Sequence, residues 1–237
     1  METGNLNKHI SGQFNVELEN VRSQVLAMGG LVEQQLENAL LASNTGDKDL
    51  AREVIENDRK VNELEVNIDQ ECVRIIAKRQ PTAGDLRLMM AIIKTITDLE
   101  RIGDMAEHAA QTVLHADRSL PDVVQVNLEA LGEQIIRMLR DVLDAFARMD
   151  ADAAYRVHSR SKKVDSLHEG LVRQLLTYMM GDSRSIPFML EVQLASRSLG
   201  RVGDHCKNIA EYIIYFVKGT DVRHTSPEEI KRLLKQD

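Results

Sequence analysis

The feature that most constrains this chain is a repeat. The string LERIGDMAEHAA (99–110) returns as LGRVGDHCKNIA (199–210), one hundred residues later. Upstream, DKDLAREVIENDRKVNELE (47–65) aligns with DADAAYRVHSRSKKVDSLH (150–168) at an offset of 103. The shared positions include Asp47/Asp150, Ala51/Ala154, Val54/Val157, Val61/Val164 and Leu64/Leu167. Two segments in the same order at nearly equal offsets indicate an internal duplication, and a duplication found or missed decides the fold. The drop in offset from 103 to 100 fits a shorter connection in the second copy, GDSRSIP (181–187) against RQPTAGD (79–85).

Each copy has the pattern of three helices, and no run shows the strict alternation of a half-buried strand. Aromatic residues make up only 3% of the chain and Trp is absent. The core must then come from Leu, Ile, Val, Ala and Met, which suits packed helices better than sheets. With four prolines and 13 glycines, long helices are possible. The expected helices cover about 9–43, ending in the turn Asn44-Thr45-Gly46; 47–78, capped by Asp47 or Asp49; 85–116; 122–149; 151–180; and 186–217. A short terminal helix starts at Ser226-Pro227-Glu228-Glu229. Gly29-Gly30 marks either a kink or a close helix contact. The fold class is therefore all-α: a first three-helix bundle over 1–118, a second over 119–218, and a tail over 219–237.

The bulk numbers exclude several classes. A formal charge of −7 and a pI near 5.6 argue against nucleic acid as the main partner, because affinity there rests on neutralising phosphates with Lys and Arg. No stretch of 18 apolar residues occurs, so no membrane span is expected. The start METGNLNKHI lacks the apolar core of a signal peptide. The expected location is the cytoplasm. Two widely spaced cysteines, Cys72 and Cys206, are expected as small buried residues.

In the third helix, Ile92, Ile96, Leu99, Gly103, Ala106, Ala110 and Val113 form a stripe with 4,3 spacing, and Leu199, Gly203, Cys206, Ala210, Ile213 and Val217 repeat it in the sixth. The glycines of the repeated motif thus sit on the core stripe. There they let a neighbouring helix approach closely, at about 1 kcal/mol of helix propensity each. Beside that stripe runs a column that begins apolar and turns acidic: Met89, Ile93, Glu100, Asp104, Glu107 and Gln111, with His108 further round. The second helix carries Val54, Val61, Leu64, Ile68, Cys72 and Ile75 on its core stripe, and Asp58, Asn62, Glu65 and Asp69 on the flank.

A short link makes the second and third helices antiparallel neighbours. Asp58 then lies level with Ala106 and Glu107, and Glu65 level with Leu99 and Glu100. The spacing does not fix the helix rotation, and so leaves open whether the flanks face each other. Carboxylates crowded on one seam must protonate, spread into water or bind cations. The columns are thus either a solvated acidic rim or an oxygen-rich site for a hard or borderline cation such as magnesium, manganese or iron. In the second copy the matching positions are Ser161, Asp165, His168 and Val172, facing Asp204, Asn208 and Glu211, with Gly200 and Lys207 replacing Glu100 and Glu107. Weaker or different metal loading is expected there. Arg101 and Arg201 recur beside the motif, placed to pair with acids or to meet a phosphate; His9, His115 and His224 are expected at the surface. Nucleotide-binding, serine-hydrolase, zinc-protease and di-iron motifs are absent. A metal-dependent hydrolase or oxidase built on Glu100 and Asp104 is the alternative to a binding protein.

VIENDRKVNELE, CVRIIAKRQPTAGDLR, LERIGDMAEH and SLGRVGDHCKNIAEYIIYFVKGTDVRH, together with the duplication, resemble the PhoU family of bacterial phosphate-transport regulators over nearly the whole chain. That resemblance implies tandem three-helix bundles, an E/D-x-x-x-D signature in each, and metal clusters on the acidic faces, with magnesium, manganese, iron or zinc as candidates. Glu100 and Asp104 complete the signature; Gly200 breaks it ahead of Asp204. The resemblance further implies a non-enzymatic, homodimeric repressor of the phosphate-starvation response. Its expected partners are a sensor histidine kinase and the ATPase subunit of the phosphate ABC transporter, and it would meet the membrane through these alone.

Overall fold

The structure is a computed structural model, and it describes residues 12–116 and 119–235. Its helices are α1 (Gly12–Thr45), α2 (Lys48–Arg79), α3 (Ala83–His115), α4 (Asp122–Arg148), α5 (Ala151–Gly181), α6 (Ile186–Lys218) and α7 (Pro227–Leu234), with a 3-10 turn at Ser183–Ser185. No strand occurs among the described residues. The local signals act as chemistry requires. The Asp47 carboxylate accepts from the Asp49 and Leu50 amides at the start of α2. Ser226 and Glu229 close a capping box on α7. Gly46 supplies the positive φ, 71°, that turns α1 into α2. His9 and the first residues of the expected first helix lie outside the described residues, as does the end of the first unit at 117–118.

Helices α1, α2 and α3 pack as one bundle and α4, α5 and α6 as the other. Both core stripes are buried, from Ile92 to Val113 in α3 and from Leu199 to Ile213 in α6. Val217 departs from expectation. It is 41% exposed, because it lies in the last turn of α6, beyond the reach of the neighbouring helices among the described residues. Leu64 is half-buried, at the edge of the α2 stripe. Cys72 and Cys206 are fully buried free thiols.

The bundles join through two antiparallel pairings, α3 with α6 and α1 with α4. At both, the contacts are reciprocal. A side chain at Gly29 would overlap the Leu143 methyls, and one at Gly132 would come within 2.9 Å of Leu40. Gly29/Gly132 and Leu40/Leu143 are each related by the repeat offset of 103. On the α3–α6 seam, Asn208 donates to Asp98, and Ser198 meets His108; these pairs are exchanged by the offset of 100. Such reciprocity defines a pseudo-two-fold axis between the copies, like the self-complementary interface of a dimer. It also decides the role of Gly29, which is a close contact, whereas Gly30 faces open space.

Gly29→Ala gains up to about 1 kcal/mol of helix propensity and incurs about 1–3 kcal/mol of overpacking against Leu143. A net loss in urea unfolding is expected, and Leu143→Ala in the same background should relieve it. Additive effects would mean that the two residues do not press on each other.

Candidate functional site

The site begins with a missing side chain. An ideal Cβ at Gly103 would stand 3.1 Å from Asp58 Oδ1, 3.3 Å from Gln35 Oε1 and 3.3 Å from Val61 Cγ1. With hydrogen there instead, α2 lies close against α3, and Asp58 is buried to 5% exposure. Its carboxylate accepts from Gln35 Nε2 at 3.0 Å, reaching over from α1, and from Asn62 Nδ2 at 3.0 Å. The two acidic flanks therefore face each other, which spacing alone left undecided. Ligand oxygens of Asp58, Asp104 and Glu107 lie within 4.8 Å of one another.

Crowding raises the proton affinity of this seam. Burial, then the charges of Asp104, Glu65 and Asp58, push the Glu100 carboxyl up to about 7. Asp104 is raised by burial and by Asp58 and Glu65. Glu107 is raised by burial and Asp58, although Gln111 Nε2 donates to it at 2.8 Å. Glu65 accepts from Thr97 Oγ1 at the near end of the site. Asp69 lies further along α2, near the Cys72 thiol, which burial first and Asp69 second push up to about 12. Two buried amide oxygens at the site, Gln35 Oε1 and Asn62 Oδ1, have no hydrogen-bond partner. Carboxylates crowded beside orphaned neutral oxygens form a donor set that suits a hard cation.

His108 does not join this cluster. It is exposed and turns toward α6, with Nδ1 3.3 Å from Ser198 Oγ, while still near enough to lower the Asp104 and Glu107 carboxyls slightly. Arg101 and Arg201 are exposed and form no ion pair within 4 Å among the described residues, although the Arg101 charge acts to lower the Glu100 and Asp104 carboxyls. His115 and His224 are exposed, as expected.

The second copy brings no such cluster together. Asp165 and Asp204 are exposed. The His168 ring fills the space over Gly200, its Cγ 3.3 Å from an ideal Cβ there, and burial followed by Arg197 lowers its pKa. Asn208 is spent on Asp98, in the other bundle. Glu211 is buried to 4% exposure and pairs with His158 Nε2 at 3.2 Å, with Lys207 at 3.9 Å. Gly203 itself packs on Val164, 3.0 Å from an ideal Cβ. Gln35, His158, and the buried pair Asp98 and His205 escaped the sequence reading. Gln35 had a signal, as a polar residue inside the apolar α1 face of Val25, Met28, Val32 and Ala39.

Two pseudo-symmetric three-helix bundles with one acidic seam define a duplicated all-α module. The chain belongs to the PhoU family: the profile described as "PhoU domain" matches residues 25–113 and again 128–213. It is 59% identical over 234 residues to the phosphate-specific transport system accessory protein PhoU of Serratia marcescens, covering 99% of this chain and 96% of that one. The crystal structure of PhoU from Pseudomonas aeruginosa superposes with a TM-score of 0.82 at 47% identity, over 87% of this chain and all of that one. The phosphate transport system regulatory protein PhoU from Streptococcus pneumoniae gives 0.82 at 30% identity, over 88% and 99%. The family comprises transport accessory and regulatory proteins, not enzymes, so the hydrolase or oxidase alternative is set aside. No helix among the described residues is long and apolar enough to cross a membrane.

With Glu100 held up to about 7 against an ordinary 4.5, the folded protein keeps a proton that the unfolded chain has lost. The metal-free protein is therefore expected to lose stability as pH rises from 4.5 through about 7. Thermal melts of chelator-treated protein should show that loss, reduced in Glu100→Gln. An identical pH slope in both proteins would contradict it.

Proposed function

We propose that this chain is a cytoplasmic, non-enzymatic negative regulator of phosphate uptake and of the phosphate-starvation response. It acts as an adaptor between the phosphate ABC transporter, through its ATPase subunit, and the sensor histidine kinase. The observation that carries this is the match along 99% of the chain to an accessory protein of a phosphate-specific transport system. The elongated helical faces suit broad contact with partner domains, and a homodimer is part of the same proposal. Deleting the gene should raise phosphatase expression in phosphate-rich medium, and crosslinking should trap the chain on the kinase sensor region or the transporter ATPase. Unchanged expression would overturn the regulatory role.

A cation at the acidic seam is the second part. Asp58, Asp104 and Glu107 would hold it, with Glu100 beside them and the amide oxygens of Gln35 and Asn62 as neutral donors. A bound cation supplies the positive charge that the raised carboxyls lack. Magnesium, manganese, iron and zinc are the candidates, and oxygen donors alone favour the first three. Elemental analysis of protein purified without an affinity tag should find metal in the native chain and little in Asp104→Ala. Equal metal in both would leave the seam a solvated rim.

A further inference from the structure

The pseudo-two-fold axis relates the two ends of the α3–α6 seam, and the ends differ. At one end the seam is filled. Asp98, 2% exposed, meets His205 Nδ1 at 2.5 Å and Asn208 Nδ2 at 3.2 Å. Tyr212 also hydrogen-bonds Asp98. The Lys94 ammonium lies over the rings of Tyr212 and Tyr215, at 5.4 and 6.0 Å from their centroids. A buried carboxylate thus sits at the centre of this end, with donors and a cation around it.

At the other end the equivalent positions are emptied of bulk and of the anion. Thr112 and His115 stand where Tyr212 and Tyr215 do, and Ser198 stands where Asp98 does. What remains is an open groove of about 310 Å³ between α3 and α6. The basic groups are redistributed: Arg197 replaces Thr97 and Arg201 keeps the charge of Arg101, while Leu194 replaces Lys94 and His108 stands where Asn208 does. Neither Arg197 nor Arg201 forms an ion pair among the described residues. Gln111 and Ser198 add neutral polar groups, Thr112 donates to the His108 carbonyl, and among the described lining residues the one carboxylate is Glu191, at the end shared with the next cavity. In a chain of net charge −7, this is a local concentration of donors around a space from which the carboxylate of the other half is missing.

We propose that this groove binds a phosphate-type oxyanion, held between Arg197 and Arg201 in the place that the Asp98 carboxylate occupies in the closed half. Guanidinium forks grip such oxygens bidentately. Donors arriving from both helices suit a tetrahedral dianion better than a planar carboxylate. The groove's size also admits a phosphoryl group carried on a small molecule. The groove adjoins the acidic seam through Gln111, which donates to Glu107, but its two arginines lie on α6, and its chemistry does not depend on the regulatory role.

The test uses the full chain stripped of metal by chelator, so that no cation at the acidic seam can bridge to the anion. Inorganic phosphate and phenyl phosphate are titrated separately by calorimetry, with the ring signals of His108 and His115 followed by NMR. Saturable binding of either probe with shifts at those histidines is expected. Binding of the inorganic ion identifies a free oxyanion as sufficient; binding of the ester alone identifies a carried phosphoryl group. Arg197→Gln/Arg201→Gln, two exposed positions that should not disturb folding, should weaken binding at least about tenfold. Ser198→Asp, which restores the internal carboxylate, should abolish it. No saturable binding of either probe below about 10 mM, or equal affinity in the native chain and both variants, would overturn the proposal.

Discussion

The acidic site depends on a hydrogen atom in place of a side chain at Gly103. Because nothing projects there, α2 settles onto α3 until Asp58 Oδ1 lies 3.1 Å from where a Cβ would be. A carboxylate is thereby forced out of water, to 5% exposure, beside Asp104 and Glu107. Burying an anion is costly unless it is paired or hydrogen-bonded. Here amides from Gln35 and Asn62 meet part of that requirement, and the rest appears as raised proton affinity at Glu100, Asp104 and Glu107. The same close approach recurs at Gly203, where the neighbour is the apolar Val164. One packing device serves both halves, and what lies under it decides whether chemistry follows.

Duplication preserved the packing and released the polar residues. Leucine fills glycine at Gly29/Leu143 and at Gly132/Leu40 alike, because the joint between the bundles is a steric fit that both copies must satisfy. The acidic seam stayed in the first half. In the second, His168 occupies the space over Gly200 and Glu211 turns inward to His158. The α3–α6 seam diverged in the opposite sense: the end carrying Asp98 and His205 closed, and the end carrying Arg197 and Arg201 stayed open. Two pseudo-equivalent halves thus carry one anionic surface and one cationic groove on different flanks of α3.

Much of the fold was legible along the chain. The repeat, the helix caps at Asp47 and Ser226, and the 4,3 stripes through Gly103 and Gly203 are local or periodic signals, and local physics enforces them. The last turn of α6 marks the limit: Val217 keeps the stripe's period yet is exposed, because periodicity assigns a face without saying how far a neighbour extends. At the site, Asp58, Glu100, Asp104 and Glu107 were visible as flank columns. Gln35 was not joined to them, since no sequence pattern ties one position on α1 to a gap between two other helices.

The sequence by itself determined an all-α chain of two like units, the faces each helix buries, and the family to which it belongs. Tertiary structure decided which flanks meet. Helical periodicity sets the angle of every side chain about its own axis, but the rotation of one helix against another follows from packing, here from glycines at three helix contacts. That rotation turned the columns of α2 and α3 inward onto a shared site, sent His108 across to α6, and left one end of a pseudo-symmetric seam open while its twin closed around Asp98.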